Sequence, residues 1–300
     1  MSRASHVTPT VDSAALAALG FLAFVWGYNW VAVKIALQYA APFPFAAERS
    51  AGGGLCLLLV LLLARRPLKP LYPARTLLLG LLQTTLFTSL TSWALVHGGA
   101  GKSAVLVFTM PFWVILAAPF VLHERLRGMQ WLAVLCAFGG LLLILSPWQR
   151  VPDLGSAVLA LAAGVAWALS VLVVKKIPVR GHWELLSLTA WQMLLGAAPL
   201  VVIAVLVPGR ATDWTWTYDA MLVYNILFAT AAAWLLWLFI VGRLPATQSG
   251  LTSLAVPVVG VLSGWWQLGE RPSMGEVAGM LLVFAGLALL PYAAGRSRGG

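Results

Sequence analysis

Apolar residues along this chain come in long, continuous runs that short polar gaps interrupt. A helix needs about 20 apolar residues to cross the hydrocarbon core of a membrane. Ten stretches are close to that length, and they lie at residues 14–37, 45–64, 76–97, 103–122, 130–146, 155–175, 184–207, 219–241, 248–267 and 275–294. Because these runs do not alternate in pieces of about ten residues, they predict membrane-spanning helices and not the strands of an outer-membrane barrel.

The gaps and the composition support this interpretation. The gaps hold prolines, glycines and charges, as in APFP at 41–44 and GERPSMG at 269–275. Only 9% of the residues are charged, whereas a soluble domain has about a quarter, so this chain cannot cover a water-facing surface. The first run is longer than a signal-peptide core and predicts a retained helix. Since Cys56 and Cys136 lie inside apolar runs, we expect no disulfide, metal site or cofactor.

The basic residues predict the orientation of the chain. The net charge is +10, but the lysines and arginines lie in short gaps between apolar runs, so we do not expect nucleic acid as a partner. If the N-terminus is cytoplasmic, thirteen of them lie on the cytoplasmic side and four on the outer side, namely Lys102, Arg150, Arg210 and Arg271. Cytoplasmic loops are enriched in Lys and Arg. We therefore predict a multi-pass protein of a bacterial inner (plasma) membrane with both termini cytoplasmic.

The chain contains an internal repeat. A shift of 146 residues aligns Ala100, Ser103, Pro111, Glu124 and Arg125 with Ala246, Ser249, Pro257, Glu270 and Arg271, and a shift of 141 pairs Trp26 with Trp167 and Lys34 with Lys175. We therefore predict an all-α membrane protein of two five-helix repeats, residues 1–147 and 148–300. Because five is an odd number, the second repeat is inverted. That organisation is typical of secondary transporters, whose substrate site lies near the membrane midplane between the halves.

In these residues the chain resembles members of the drug/metabolite transporter superfamily and, within it, of the ten-span EamA family. The family pattern has Trp-Gly in the first helix, Pro in the fourth and Gly-Glu-Arg or a variant before the fifth. Here the matching residues are Trp26-Gly27, Pro111 and Glu124-Arg125, with Pro257 and Glu270-Arg271 in the second half, while His123 and Ala168 stand where the family usually has Gly. The resemblance covers nearly the whole chain and implies a two-repeat exporter. With its fifteen tryptophans, the composition of the chain is also similar to that of the YddG-type exporters of aromatic amino acids.

The third span is unusually polar and supplies candidates for a substrate cavity. Thr84, Thr88 and Thr91 share one face at i, i+4 and i+7, and Ser92 and Trp93 follow them. Hydroxyls in this setting line a wet cavity, or they bond back to their own helix or to a neighbouring one. Both interpretations stay open, and we take Thr84, Thr88, Ser92 and Trp93 as cavity candidates.

The first and sixth spans supply a second, repeat-matched set. Trp26 and Asn29 lie three residues apart in the first span, and Trp167 and Ser170 have the same spacing in the sixth. An amide in hydrocarbon is costly unless it is hydrogen-bonded. We therefore expect Asn29 to face an interior cavity together with these partners.

The ninth span begins with two more polar candidates, Gln248 and Thr252, one helical turn apart. Their side chains can bond the polar groups of a substrate, or the segment can serve close helix packing. Pro111 and Pro257 each remove a hydrogen bond in mid-helix. A matched pair of prolines predicts hinges in both halves, although static kinks are an equal alternative.

Charges within the predicted spans are few. Glu48 and Arg49 lie in the first turns of the second span, and we expect both side chains to reach the outer interface. We expect Lys34 to reach an interface in a similar way, by extending along its helix. Glu124 and Glu270, at span ends, are expected to be structural, each capping the next helix or pairing at the interface.

No carboxylate lies at the centre of a predicted span, where proton-coupled carriers often have one. We therefore expect facilitated export, or coupling through a group such as His97. A cavity of indoles, amides and hydroxyls suits a neutral zwitterion with an apolar side chain, or a flat organic cation.

The sequence thus predicts a secondary transporter and not an enzyme. Its partners are a small-molecule substrate and the lipid bilayer, and one chain can form the pathway as a monomer. The preferred cargo is amino acids, including aromatic ones, exported by alternating access. The alternatives are a drug, organic cation or nucleotide sugar as cargo, and beyond these a channel or a lipid-handling protein.

Overall fold

The computed structural model describes residues 13–121, 129–145, 153–233, 236 and 246–295, and of residues 246–255 it describes the backbone alone. Seven regular helices in this part of the chain are α1 (Ser13–Ala36), α2 (Pro42–Leu63), α5 (Met129–Leu145), α6 (Leu154–Lys175), α7 (His182–Leu206), α9 (Ala246–Leu268) and α10 (Met274–Gly295). All begin within three residues of a predicted span, because continuous apolar runs are a local property of the sequence.

Three further helices are irregular. In α3, a π-helical turn at Gly80–Leu86 separates the α-helical pieces Pro73–Leu79 and Phe87–His97. Helix α4 consists of Ala100–Val107 and Met110–Val121, which a turn at Phe108 and Thr109 separates. Helix α8 passes from Trp216–Val223 into a π-helical segment, Tyr224–Ala232. The π-helical segments thus occupy equivalent helices of the two halves, and such segments are frequent at functional sites.

Local residues account for several helix ends. Pro42 begins α2 and Pro73 begins α3, where a missing N–H costs nothing. Gly269, with φ of +66°, follows the end of α9 in the left-handed conformation that favours glycine. At the start of α10, Ser273 N donates to Glu276 Oε2 at 2.8 Å and Glu276 N donates to Ser273 Oγ at 3.2 Å, which together form a capping box.

Four helices are long and apolar enough to cross a membrane by length and composition alone: Pro42–Leu63, Pro73–His97, Leu154–Val174 and His182–Leu206. Shorter apolar helices cover parts of α1, α4, α5, α9 and α10. The bundle is therefore that of a multi-pass membrane protein, while the total of ten spans stays a prediction.

The helix contacts follow the internal repeat. Helix α2 packs against α7 and α5 packs against α10, and each pair joins equivalent helices of the two halves. The contact of α1 with α9 corresponds to that of α6 with α4, and the contact of α3 with α7 corresponds to that of α8 with α2. For these pairs, replacing each helix by the one five places along the chain gives another observed contact. An approximate two-fold axis between the halves requires this correspondence.

Helices α5 and α10 approach closely because glycines face each other. A Cβ atom at Gly140 would lie 2.5 Å from the carbonyl oxygen of Gly279, and one at Gly279 would lie 2.6 Å from that of Gly140. No real Cβ atom tolerates such a distance. The pair therefore brings two backbones into contact, which is how small residues join helices in lipid.

The two repeat-matched prolines have different surroundings. Pro111 lies at the second position of Met110–Val121, directly after the break in α4, and Thr109 Oγ1 donates to the carbonyl oxygen of Leu106 at 2.6 Å within that break. Pro257 lies inside α9, which continues through it. The proline lacks an N–H at both places, but only α4 is interrupted. Their role as hinges stays a prediction.

Candidate functional site

A cavity of about 160 Å³ lies among helices of both halves. Helices α1, α2, α3, α6, α7 and α8 and the turn in α4 contribute to its wall. The lining residues are Trp26, Asn29, Trp30, Val33, Arg49, Ser50, Gln83, Thr84, Phe87, Thr88, Thr91, Leu95, Phe108, Trp167, Gln192, Met193, Ala229 and Thr230. Of the ten predicted cavity residues, this wall contains Trp26, Asn29, Thr84, Thr88 and Trp167.

Aromatic rings form one part of the wall. The Trp167 ring contacts Phe87 with 5.6 Å between ring centroids and Phe108 with 5.4 Å, the latter edge to face. The indole N–H of Trp26 donates to the carbonyl oxygen of Ala229 in α8 at 3.0 Å. The two tryptophans that the repeat pairs therefore both reach the cavity, and each is held by a neighbouring helix.

The hydroxyls of α3 divide between the two roles that the sequence left open. Thr84 lines the cavity, and its Oγ1 also bonds Gln192 Oε1 of α7 at 3.0 Å. Thr85 Oγ1 donates to the carbonyl oxygen of Gly196 at 2.7 Å and joins α3 to α7. Thr91 Oγ1 donates to the carbonyl oxygen of Phe87 on its own helix at 2.7 Å. Cavity lining and helix joining thus occur side by side on this helix.

Trp93 lies outside the cavity wall, which corrects its placement from sequence. Its side chain is 50% exposed on the bundle surface, and its ring lies edge to face with that of Phe43 at 5.9 Å. The physical reason is helical geometry. Nine residues separate Trp93 from Thr84, and at about 100° per residue they lie on opposite faces of a helix.

Ser92 and Ser170 are also absent from the wall. Ser92 is fully buried, and Ser170 Oγ donates to the carbonyl oxygen of Trp167 at 2.7 Å on its own helix. A serine hydroxyl that donates to its own helix has a hydrogen-bond partner without facing a polar cavity. The side chains of Gln248 and Thr252, and the whole of Glu124, lie outside the described residues.

Arg49 is the functional candidate that the sequence placed wrongly, at the outer interface. The structure places it in the cavity wall, where its Nη1 donates to Asn225 Oδ1 of α8 at 3.0 Å. The guanidinium carbon also lies 5.8 Å from the ring centroid of Phe45. A sequence signal was available, because Ala46 three residues before Arg49 and Gly53 four residues after it mark a face that packs against other helices.

The carboxylate next to Arg49 in sequence faces a different partner. Glu48 accepts a hydrogen bond from the hydroxyl of Tyr218, a fully buried residue at the start of α8. Consecutive residues of a helix point about 100° apart. Glu48 therefore does not neutralise Arg49.

Asn29 lies in the wall as predicted, and part of its amide is unsatisfied. Its Oδ1 is buried and has no hydrogen-bond donor among the described residues. A buried acceptor without a donor costs about 1–3 kcal/mol. A half-turn of the amide exchanges its oxygen and nitrogen, so the cavity side can present either an acceptor or a donor.

At one end of the bundle, a single carboxylate joins three segments. The side chain of Glu270 accepts hydrogen bonds from Ala100 N at 2.6 Å, Gly101 N at 3.0 Å and Lys34 Nζ at 3.2 Å. Lys34 Nζ also donates to the carbonyl oxygen of Gly98 at 2.6 Å. We call Lys34, Gly98, Ala100, Gly101 and Glu270 the Glu270 cluster, and the end of the bundle that contains it the Glu270 end.

In the Glu270 cluster this glutamate both caps a helix and pairs with a lysine, but the helix is not the one that the sequence indicated. Glu270 caps α4, a helix of the first half, and not the next helix, α10. The free N–H groups and the helix dipole at the start of α4 favour a negative charge there. Lys34, expected to extend toward the interface, is instead part of this cluster.

Further contacts join loops at the Glu270 end. Lys102, buried, pairs with Asp153 at 3.3 Å and with Glu276 at 2.9 Å, which links the starts of α4, α6 and α10. Arg210 Nη2 donates to the carbonyl oxygen of Leu37 at 2.8 Å. Both halves of the chain are thus connected at this end.

At the opposite end, described contacts join the start of α3 and the α2–α3 loop to the end of α6 and to α7. Arg75 Nη1 donates to the carbonyl oxygen of Lys176 at 2.7 Å, and the indole N–H of Trp191 donates to that of Leu68 at 2.7 Å. We call this the Arg75 end.

Comparisons with known proteins agree with this architecture. The model of the EamA-like transporter family matches residues 13–146 and 154–292. A probable amino-acid metabolite efflux pump of Salmonella typhimurium is 30% identical over 289 residues, which cover 89% of this chain and 93% of that protein. The protein of the same name from Escherichia coli is 29% identical over 280 residues, covering 88% and 90%.

Two further matches extend the comparison. The uncharacterized transporter YoaV of Bacillus subtilis is 26% identical over 281 residues, with 91% of this chain and 95% of that protein covered. A solved crystal structure has the same fold, with a TM-score of 0.64 at 19% identity over 93% of this chain and 98% of that one.

A bundle of apolar helices around a cavity that both halves line, together with these matches, defines a membrane transporter and not an enzyme. The chain belongs to the EamA-like transporter family.

Proposed function

We propose that this protein exports small metabolites, most of all amino acids including aromatic ones, across the inner membrane of a bacterium. The observation that carries the proposal is the small cavity that both halves line, whose wall combines indole rings with amides and hydroxyls. Aromatic side chains offer large apolar area, while the polar groups suit the charged end of an amino acid. Two relatives are named as probable amino-acid metabolite efflux pumps, which supports the same cargo.

The transport mechanism in this proposal is alternating access between the repeats 1–147 and 148–300. In this proposal ten spans put both termini on the same side of the membrane, and the positive-inside rule makes that side the cytoplasm and the Glu270 end the outer face. In this mechanism the Glu270 cluster and the Lys102 pairs break when the cavity opens outward, and the contacts of the Arg75 end break when it opens inward. The described lining residues come from both halves of one chain, and in this proposal the carrier works as a monomer.

A flat organic cation is the strongest alternative cargo, because the aromatic wall also suits a cation. The charge in the wall argues against it. Among the described lining residues, Arg49 is the one with a charged side chain, and a second cation beside it would be repelled.

The test is a counterflow screen in proteoliposomes with labelled amino acids. Thr88→Leu and Asn29→Leu, both in the wall, should reduce flux of a transported amino acid, whereas the matched surface variant Trp93→Leu should leave it unchanged. Saturable flux distinguishes a carrier from a channel. The proposal fails if no amino acid shows counterflow, or if the two wall variants transport like wild type.

A further inference from the structure

Arg49 carries a charge that nothing in the described part of the chain neutralises. Its guanidinium makes one hydrogen bond, to the neutral amide of Asn225, although the group has five N–H donors. The described ion pairs join Lys34 to Glu270 and Lys102 to Asp153 and Glu276, and Glu48 is bonded to Tyr218. These carboxylates therefore have partners other than Arg49.

An unpaired cation in this position is expensive to keep. Removing an ion from water costs several kcal/mol even after the protein relaxes, unless an opposite charge compensates it. The remaining guanidinium donors match the two oxygens of a carboxylate in a planar, bidentate arrangement. None of the described lining residues supplies such a carboxylate, so a carboxylate on the ligand is the group that these donors suit.

Asn29 adds a second, independent observation in the same wall. Its amide carries a buried acceptor that lacks a donor among the described residues. An ammonium group is a strong donor with three N–H groups and no acceptor. Turned toward the cavity, the amide oxygen would complement that group.

We propose that Arg49 binds the carboxylate of the substrate and that Asn29 accepts a hydrogen bond from its ammonium group, so that the cavity selects α-amino carboxylates. This inference rests on the proposed export function and deepens it by naming the groups that recognise the cargo. The Trp167, Phe87 and Phe108 rings then contact the side chain of the substrate. Arg49 is the specificity residue, and an amine without a carboxylate is rejected.

Four small molecules separate the two contacts: L-phenylalanine, L-phenylalaninamide, 2-phenylethylamine and 3-phenylpropanoate. Their binding to the full-length protein in detergent is measured by the ligand-induced rise in melting temperature, which does not depend on transport. Wild type should bind L-phenylalanine and 3-phenylpropanoate and should bind the two compounds that lack a carboxylate about 10- to 100-fold more weakly, as the loss of a charge-assisted hydrogen bond implies.

Variants assign each contact to its residue. Arg49→Gln should lose the preference for carboxylates, Arg49→Lys should keep part of it, and Arg66→Gln, at an exposed arginine beyond the end of α2, should behave like wild type. Asn29→Leu should weaken L-phenylalanine but not 3-phenylpropanoate, which has no ammonium group. The melting temperature without ligand shows whether each variant is folded.

The inference is overturned if the amines bind as tightly as the acids, or if Arg49→Gln binds 3-phenylpropanoate like wild type. It is also overturned if none of the four compounds binds. Counterflow of L-phenylalanine separates the two levels of the argument. Carboxylate-selective binding without counterflow contradicts export but not the site, whereas equal counterflow of L-phenylalanine and its amide contradicts the role of Arg49 but not export.

Discussion

Replacing Glu270 with glutamine should open the Glu270 end of the bundle. The carboxylate accepts three hydrogen bonds, from Ala100 N, Gly101 N and Lys34 Nζ, and its side chain is only 18% exposed. A glutamine keeps one acceptor oxygen and turns its NH₂ group toward other donors. With its oxygen in the place of Oε1, the glutamine keeps neutral bonds from Ala100 N and Lys34 Nζ and loses the bond from Gly101 N. The lost bond is worth about 1.5–3 kcal/mol and each bond that loses its charge about 1 kcal/mol, so the closed arrangement loses about 3 kcal/mol or more.

A change of about 3 kcal/mol shifts the equilibrium between closed and open states by about 100-fold. The assay is the rate at which a cysteine in the cavity reacts with a membrane-impermeant maleimide. Cys56 and Cys136 are replaced by alanine, and Thr88, which lines the cavity and is 5% exposed, is replaced by cysteine. Glu270→Gln should speed labelling from the side of the Glu270 end and slow it from the other side.

The matched control is Arg271→Gln, which removes the neighbouring, exposed charge outside the Glu270 cluster and should leave both rates unchanged. Labelling of the Glu270→Gln protein at the wild-type rate from both sides would refute the reasoning. The same experiment tests the predicted orientation, since the side that gains access has to be the outer side of the membrane.

Two more predictions concern helix packing and proton coupling. Gly140→Ala should destabilise the protein by about 1–3 kcal/mol through overpacking against α10, seen as a lower melting temperature. Gly139→Ala, whose Cβ would meet its nearest atom at 4.0 Å, should not, and equal melting temperatures for the two variants would contradict the close approach of α5 and α10. Because none of the described wall residues carries a carboxylate, flux should persist without a pH gradient, and Glu48→Gln should retain it. The expectation is contradicted if wild-type flux strictly requires the gradient and the Glu48→Gln variant no longer responds to it. That result would show that Glu48 carries the proton.

Helix positions were predictable because burial in lipid imposes continuous apolar runs, and each run can be read from neighbouring residues alone. The π-helical segments at Gly80–Leu86 and Tyr224–Ala232 were not predictable in this way. A π-helical turn differs from an α-helical turn by one backbone hydrogen-bond register, and composition does not record that register. Its stability depends on what the neighbouring helices offer, as where Thr85 bonds the backbone of Gly196 in α7.

The site was partly predictable for a related reason. Trp26 and Trp167 were found through the repeat, and Thr84 and Thr88 through helical spacing, which are both regularities within the sequence. Arg49 was misplaced because a charge near a helix start is as typical of an interface as of a cavity. What distinguishes the two is a partner, Asn225, that lies 176 residues away. Ala46 and Gly53 indicate a packing face, but the contact with Asn225 belongs to the tertiary structure and neighbouring residues do not reveal it.

The proposed role of Arg49 also predicts how the empty carrier behaves. Between the two open states, a carrier passes through a state in which the cavity is closed at both ends and water is excluded. An unpaired guanidinium is least favourable there, because neither water nor a carboxylate compensates its charge. A bound amino acid supplies that carboxylate, so the loaded carrier should change state faster than the empty one.

Efflux of labelled L-phenylalanine from proteoliposomes should therefore be several-fold faster when unlabelled L-phenylalanine is present outside, since exchange avoids the return of the empty carrier. Equal efflux with and without external amino acid would mean that the empty cavity tolerates the charge, and that Arg49 is compensated by something other than the substrate.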